Sequence, residues 1–354
     1  MVDKNVRIKD IARLAGVSVG TVDRVLHNRG RVSQEALKKV TAVMEQIDYK
    51  PNLIARTLGS GKSYRVAALL PEPGQDPYWG QTHQGILQAE TEWGHYGVRI
   101  DLYFFDLLNK DSYEQKGMEA AASTPDGIVT APIFYKEALP VFQSLKNSSI
   151  PYVLFNTNIP EVEPLSFIGQ NLYESGRVGA ELMSVSQHEA GKLMILHIDE
   201  DVHDSIHLRE KERGFRSYFG ERSKLAFEIM DFALNPIEPS FAPQLTQLLT
   251  DPKVRGIFVS TSLGTSVAAT FLEKSGRKDI RLIGYDLLDD NVKYLRTGVI
   301  DFLINQNPRR QAFLSISHLV NHLMFKKGTP STDLFPLEVI TQQNLQSYVG
   351  SGIH

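Results

Sequence analysis

From Tyr64 onward the chain alternates short apolar runs with segments of helical periodicity, and this alternation leaves few architectures open. The runs are VAALL (66–70), GIVTA (127–131), YVLFN (152–156), KLMILHI (192–198), GIFVS (256–260) and RLIGYD (281–286). Each is short and apolar at successive positions, which is the pattern of a strand buried on both faces. Between them, residues 80–95, 173–187, 206–219 and 264–274 place apolar side chains at helical spacing. Strands that alternate with helices build parallel sheets with helices on both faces. The 354-residue chain carries too much of this pattern for one doubly wound unit. Two α/β lobes of doubly wound parallel sheet are therefore expected, divided near residues 157–168.

The first 62 residues read differently. Ile8, Ile11, Ala12 and Ala15 make one face of a helix apolar. Gly16 then supplies a tight turn, because a residue without Cβ tolerates positive φ. Ser18 can cap a second helix that runs to about His27 with Val22, Val25 and Leu26 inward. Ser33 caps a third, on which Leu37, Val40, Met44 and Ile47 recur at helical spacing. Two short helices joined by a glycine turn and backed by a third form an all-α helix-turn-helix head. Charge agrees. Residues 1–62 hold 12 Lys/Arg against 6 Asp/Glu, and the rest hold 26 against 35. A basic head on an acidic body is the electrostatic footprint of a nucleic-acid-binding module joined to something else. Lys50-Pro51-Asn52 stops the third helix, since Pro disfavours helical geometry in the residue before it. A short helix, 52–58, then ends in Gly59-Ser60-Gly61, a flexible joint. The expected domains are a head over 1–50, a hinge helix and linker over 51–62, and a two-lobed ligand-binding and dimerisation domain over 63–354.

In open α/β sheets, ligands bind beyond the C-terminal ends of the strands. Those ends are polar and aromatic here: Asp76-Pro77-Tyr78-Trp79, Asn156-Thr157-Asn158, Thr261-Ser262 and Asp286. Rings beside amides and carboxylates suit a sugar, whose C–H face stacks while its hydroxyls find partners.

Other chemistries find little support. No nucleophile elbow of the GxSxG kind is expected, and no GxxxxGK[ST] loop or HExxH pair occurs; no GxGxxG follows the first strand. His203 and His207, with Asp199, Glu200, Asp201 and Asp204 nearby, could hold a metal. They read more simply as a solvated acidic loop leading into a helix. The chain has no Cys, which fits a reducing cytosol. No apolar stretch approaches the ~20 residues of a membrane span, and the N-terminus lacks the apolar segment of a signal peptide.

The run IKDIARLAGVSVGTVDRVLHNRGRVSQEALKKVTAVMEQIDYKPNLIARTL resembles the lactose repressor family in order and spacing. The resemblance implies that Val19, Gly20 and Arg24 meet base edges in the major groove and that Ser18, Thr21 and Asn28 meet phosphates. Arg24 would reach a guanine through two donors. Leu58 matches the hinge-helix leucine that wedges into the minor groove, where unstacking is offset by contacts the bent DNA permits. Ala55 matches the small residue beside the groove or the partner hinge helix. Asp23 and Gly20 depart from the family pattern and leave the operator sequence open, and Arg7 replaces a common Thr.

The body is similar to the type I periplasmic sugar-binding proteins. By that likeness Asp76, Tyr78, Trp79, Asn156, Arg209, Thr261, Asp286 and Gln306 would bind ligand, and residues 340–345 match the ending of that group. The resemblance implies a cytoplasmic homodimer on double-stranded operator DNA, controlled by a small sugar-like effector. No cofactor, metal, catalysis or membrane is expected. Two other readings are a corepressor-dependent regulator sensing a purine stacked on Tyr78 and Trp79, and an enzyme fused to a DNA-binding head.

Overall fold

Ile11, Ala12 and Ala15 of α1 (Ile8–Ala15) pack on Val22 of α2 (Val19–His27) and Val40 of α3 (Gln34–Gln46), with Val25, Val43, Met44 and Ile47 half-buried around them. The computed structural model describes residues 8–27, 32–47, 62–198, 205–222 and 226–350. It divides into two units, Met1–Lys62 and Ser63–His354. In the turn between α1 and α2, Gly16 has φ +62°, a left-handed conformation that costs glycine nothing. Ser18 Oγ accepts the Thr21 N–H at 3.1 Å, and Ser33 Oγ accepts the Ala36 N–H at 3.2 Å, so both hydroxyls cap the helices they precede. Leu37 is 45% exposed despite its helical spacing; the small core of this unit centres on Val40 and leaves Leu37 at its rim. Arg7, Asn28, Ala55, Leu58 and the hinge helix lie outside the described residues.

The second unit begins with β1 (Tyr64–Pro71), α4 (Pro77–Gly94), β2 (Val98–Phe105), α5 (Asp111–Ala122), β3 (Gly127–Thr130), α6 (Tyr135–Asn147), β4 (Tyr152–Phe155) and β5 (Ser166–Gly169). The chain then crosses to a second lobe. This holds α7 (Leu172–Val185), β6 (Gly191–Ile198), α8 (Ile206–Arg222), β7 (Phe227–Leu234) and α9 (Phe241–Thr250). It continues through β8 (Val254–Val259), α10 (Ser262–Ser275), β9 (Arg281–Tyr285), α11 (Asp289–Thr297) and β10 (Phe302–Asn305). It returns to the first lobe for α12 (Pro308–Phe325) and β11 (Thr332–Leu334), then crosses once more to β12 (Glu338–Ile340) and α13 (Gln346–Val349). The two six-stranded sheets have the orders β11-β5-β4-β3-β1-β2 and β12-β10-β9-β8-β6-β7. Every pairing is parallel except β10 with β12.

The division expected at 157–168 moves to 170–171, because β5 pairs in register with β4 and belongs to the first sheet. Nor are the lobes two consecutive halves. Ala312, Ile316, Leu319 and Val320 of α12 pack into the first lobe's core beside Val66–Leu70, Ile86 and Phe142. Three crossings, from β5 to α7, from β10 to α12 and from β11 to β12, therefore join the lobes.

The second sheet is covered on both faces. Leu193, Ile195, Phe258 and Tyr285 meet α7 and α8 on one side, and Met194, Leu196, Ile257 and Leu282 meet α9, α10 and α11 on the other. Each such side chain contributes roughly 1.5–3 kcal/mol of burial. The α7–α8 contact is backbone on backbone. A Cβ on Gly176 would lie 1.9 Å from the Lys211 carbonyl oxygen, and one on Gly214 would lie 1.9 Å from that of Tyr173. Only glycine permits this approach, and it sets where α8 presents its side chains.

Candidate functional site

The C-terminal ends of the parallel strands in both lobes open onto one cleft. From the first lobe, Asp76 caps α4 by accepting the Tyr78 N–H at 2.8 Å, with Pro77 opening the helix. Tyr78 and Trp79 are buried, their rings edge to face with centroids 5.0 Å apart. Asn156 follows β4 at φ +64°, a conformation asparagine tolerates better than most residues. Its side-chain N–H donates to the Tyr78 hydroxyl at 2.6 Å, and its backbone N–H donates to Gln311 Oε1 at 3.0 Å.

This network continues into the second lobe. Gln311, on α12, donates to the Gln306 carbonyl at 2.8 Å. Gln306 gives Asp286 two hydrogen bonds of 2.6 Å, one from its backbone N–H to Oδ1 and one from its side chain to Oδ2. The Ser262 hydroxyl donates to Oδ2 as well. Asp286 is fully buried at φ +62°, and Asn291 ties its loop down through the carbonyls of Ser262 and Tyr285, each at 2.9 Å. Burial pushes the Asp286 carboxyl above the usual carboxylate range, opposed by the Ser262 and Gln306 donors and by the Lys211 ammonium. An unbroken line of hydrogen bonds thus runs Tyr78–Asn156–Gln311–Gln306–Asp286–Ser262 through the 305–308 crossing.

Asp76, Tyr78, Trp79, Asn156, Thr261 and Gln306 all line one inner chamber of about 30 Å³, so six of the eight residues expected from sequence converge there. Asp286 stands behind that wall, where it holds Ser262 and Gln306. Arg209 does not join them: it is exposed on α8. The cation in the chamber is Lys211, only 2% exposed, which donates to the Ser260 carbonyl at 2.9 Å and sits 3.7 Å from the centroid of the Tyr285 ring. Helical period explains the correction. His207, Lys211 and Phe215 recur every four residues on the buried face of α8, whereas Arg209 is turned away from it. His207, Ser260 and Ser262 also line the chamber. A larger outer chamber, about 570 Å³, adjoins it, with Asp76 and Thr261 in both walls.

Below the chamber, His197 is buried between the Ser260 hydroxyl, 2.8 Å from Nδ1, and Glu212 Oε2, 3.0 Å from Nε2. The His197 hydrogen bond, then the Arg216 guanidinium, pull the Glu212 carboxyl down to about 2. Among the described residues no cluster of three or more His, Asp or Glu side chains is placed to hold a metal ion. His203 and residues 199–204 lie outside them. Among those same residues, no helix is long and apolar enough to cross a membrane.

In the N-terminal unit, Ser18, Val19, Gly20 and Arg24 are exposed and Thr21 is half-buried. All five follow the turn on one short stretch, and the apolar Val19 is exposed there, as Leu14 and Leu37 are elsewhere in this unit. Residues 16–20 spell Gly-x-Ser-x-Gly, the spacing of a nucleophile elbow. Here the run joins two helices rather than a strand and a helix, and the Ser18 hydroxyl is engaged by Thr21.

Two family models match the chain: bacterial regulatory proteins of the lacI family over residues 7–52, and a periplasmic binding protein domain over residues 66–327. The sucrose operon repressor of Streptococcus mutans is 25% identical over 350 residues, covering 96% of this chain and 99% of the relative. The ribose operon repressor of Halalkalibacterium halodurans is 25% identical over 285 residues, 79% of this chain and 80% of the relative. A crystal structure from Bacteroides fragilis, described as a LacI transcriptional regulator, superposes with a TM-score of 0.76 at 28% identity. It covers 81% of this chain and 100% of that one.

Proposed function

Because this chain belongs to the lacI family of bacterial regulatory proteins, with a periplasmic binding protein domain as its body, we propose that it is a cytoplasmic, homodimeric repressor of a sugar operon. It grips operator DNA through α2, and a sugar held between its lobes sets that grip. The observation that carries the reading is the continuous polar network joining both lobes at the ends of their parallel strands. A ligand bonded to both walls shifts the balance between two lobe arrangements by its differential affinity for them. A coupling of about 1–3 kcal/mol to the DNA site is typical of such linkage.

Val19, Gly20 and Arg24 form the proposed base-reading surface, with Ser18 and Thr21 at the phosphates. Asn28, Ala55 and Leu58 complete it from outside the described residues. Two heads related by a two-fold axis would read a near-palindromic site. In this proposal the hinge helix read from the sequence over 52–58, which lies outside the described residues, meets the DNA beside its partner.

The test is thermal unfolding of the full chain against a panel of sugars, polyols, sugar acids and nucleobases. A sugar at about 100 times its Kd adds about 2.7 kcal/mol, which raises Tm by several degrees. The expected result is a shift with one sugar class and none with nucleobases. A shift with nucleobases alone, or with no sugar at all, overturns the reading.

A further inference from the structure

We propose that Gln170 is a positioning residue for the inter-lobe hinge: its one amide ties the three crossings together and so sets the balance between lobe arrangements. The proposal rests on the reading that a sugar acts by shifting that balance.

Gln170 stands in the first crossing, between β5 and α7, and is 3% exposed. Its side-chain NH₂ donates to the Asn305 carbonyl at 2.9 Å and to the Pro336 carbonyl at 3.0 Å. Asn305 ends β10 and opens the second crossing, and Pro336 lies in the third, between β11 and β12. One planar group thus touches all three crossings. The bonds around it divide by lobe. The Phe335 N–H donates to the Gly169 carbonyl at 2.7 Å, which extends the β5–β11 pairing of the first lobe. Asn305 Nδ2 donates to Glu338 Oε2 at 2.8 Å, across the β10–β12 pairing of the second. The Gln170 amide joins the first set to the second.

This geometry constrains motion. The sheets on either side are paired and packed, so one lobe turns against the other by backbone rotation within the crossings. Such rotation moves the Asn305 and Pro336 carbonyls relative to Gln170. The two N–H bonds of an amide are fixed in one plane, so both carbonyls are held in one arrangement of the crossings and not in another.

The other end of the same side chain holds nothing. Gln170 Oε1 is buried, and among the described residues no donor reaches it. A buried acceptor without a donor raises the free energy of the arrangement that contains it. The arrangement described here therefore gains two hydrogen bonds and leaves one acceptor unmet. That keeps it close in free energy to an alternative that a ligand can select.

The experiment reads lobe positions directly. The chain has no cysteine, so Leu108→Cys and Ile237→Cys place one nitroxide on each lobe, at exposed positions on opposite walls of the cleft. Distances in the full chain are measured by pulsed electron spin resonance, with unlabelled chain in excess so that pairs within one chain are read. Gln170→Met keeps the length of the side chain and removes both donors. Gln170→Glu turns an acceptor-only group toward two carbonyl oxygens. Asn171→Ala is the control, since the Asn171 side chain caps α7 from the same crossing by accepting the Glu174 N–H at 3.1 Å. Each protein is read alone and with D-glucose, D-galactose, D-xylose or D-ribose.

Both Gln170 variants are expected to change the ratio of two inter-lobe distances roughly tenfold, a factor equivalent to about 1.4 kcal/mol. Asn171→Ala is expected to lower Tm and leave the distances unmoved. If Gln170→Glu does not fold, Gln170→Met decides alone. A Gln170 variant whose distances match wild type, or a shift that Asn171→Ala reproduces, overturns the role of Gln170; a sugar that still moves the wild-type distance then leaves the ligand reading standing. Distances moved by the Gln170 variants and by none of the sugars uphold the hinge and overturn the sugar reading. Distances that neither substitution nor sugar moves overturn both.

Discussion

Asp286 offers a test of how the cleft is built, because two substitutions at one site separate its hydrogen-bonding role from its charge. In Asp286→Ala the Gln306 backbone N–H loses its acceptor inside a fully buried site. An orphaned donor costs about 1–3 kcal/mol. Alanine must also adopt φ +62°, which costs about 1–2 kcal/mol for a residue with a Cβ and no side-chain compensation. The Ser262 hydroxyl and the Gln306 amide can turn elsewhere, and a buried charge is removed, so the loss is expected at about 2–5 kcal/mol rather than more. For a domain of this size that lowers Tm by roughly 4–12 °C.

Asp286→Asn keeps the shape and tolerates the left-handed backbone. Its oxygen still accepts the Gln306 N–H, while the Ser262 hydroxyl and the Gln306 amide reverse to accept from its NH₂. A change within about 1 kcal/mol is expected. Thermal unfolding of both variants, followed by circular dichroism at pH 7, decides. Alanine within 1 kcal/mol of wild type, or asparagine as damaging as alanine, would refute the reasoning. The second result would make the negative charge beside Lys211 the stabilising feature. The pH dependence adds a check. Burial raises the Asp286 carboxyl, so its contribution is fully present below the unfolded value and is lost as pH rises through the folded one. Asparagine has no such loss, so the Asn variant should gain on wild type as pH rises through that range.

Glu212 runs the other way. Its carboxyl lies at about 2 rather than 4.5, so it contributes stability above pH 4.5 that is lost as pH falls toward 2; Glu212→Gln should flatten the acid limb of a stability–pH curve by on the order of 3 kcal/mol. Unchanged acid sensitivity would mean His197 and Arg216 do not hold it. Gly214→Ala drives a Cβ into the Tyr173 carbonyl and is expected to cost about 3 kcal/mol, whereas Gly220→Ala, in open space on the same helix, should stabilise by up to about 1 kcal/mol in urea unfolding. In the head, Arg24→Ala should weaken binding to a selected operator duplex by about 1–3 kcal/mol and scarcely affect random DNA; an equal loss on both would remove its base-reading role.

What the sequence discloses follows from how many residues share the burden of a feature. The central strands are buried on both faces, so each of their residues must be apolar, and VAALL or GIFVS announces itself. The edge strands β2 and β7 have a neighbouring strand on one side only, and less buried residues interrupt their pattern. The crossings are less legible still, because no local signal tells α12 which of two sheets it will cover. Its apolar face would suit either, and the outcome is decided by residues some 150–250 positions away, such as Val66 and Phe142.

The same logic divides the cleft. Asp76, Asn156, Thr261 and Gln306 sit at strand ends, where backbone topology alone brings them together. A helix residue gets no such help and must be placed by period. Phe215 is buried, so the positions four and eight residues earlier are turned inward with it, and that points to Lys211 and His207 rather than Arg209. The glycines complete the inference, because Gly176 and Gly214 let α8 lie against α7 closely enough for Lys211 to reach Ser260. A lysine so placed, beneath Tyr285 and donating to the Ser260 carbonyl, sets a buried ammonium in the wall of the inner chamber, where a helix residue joins the strand-end residues as a donor to whatever enters.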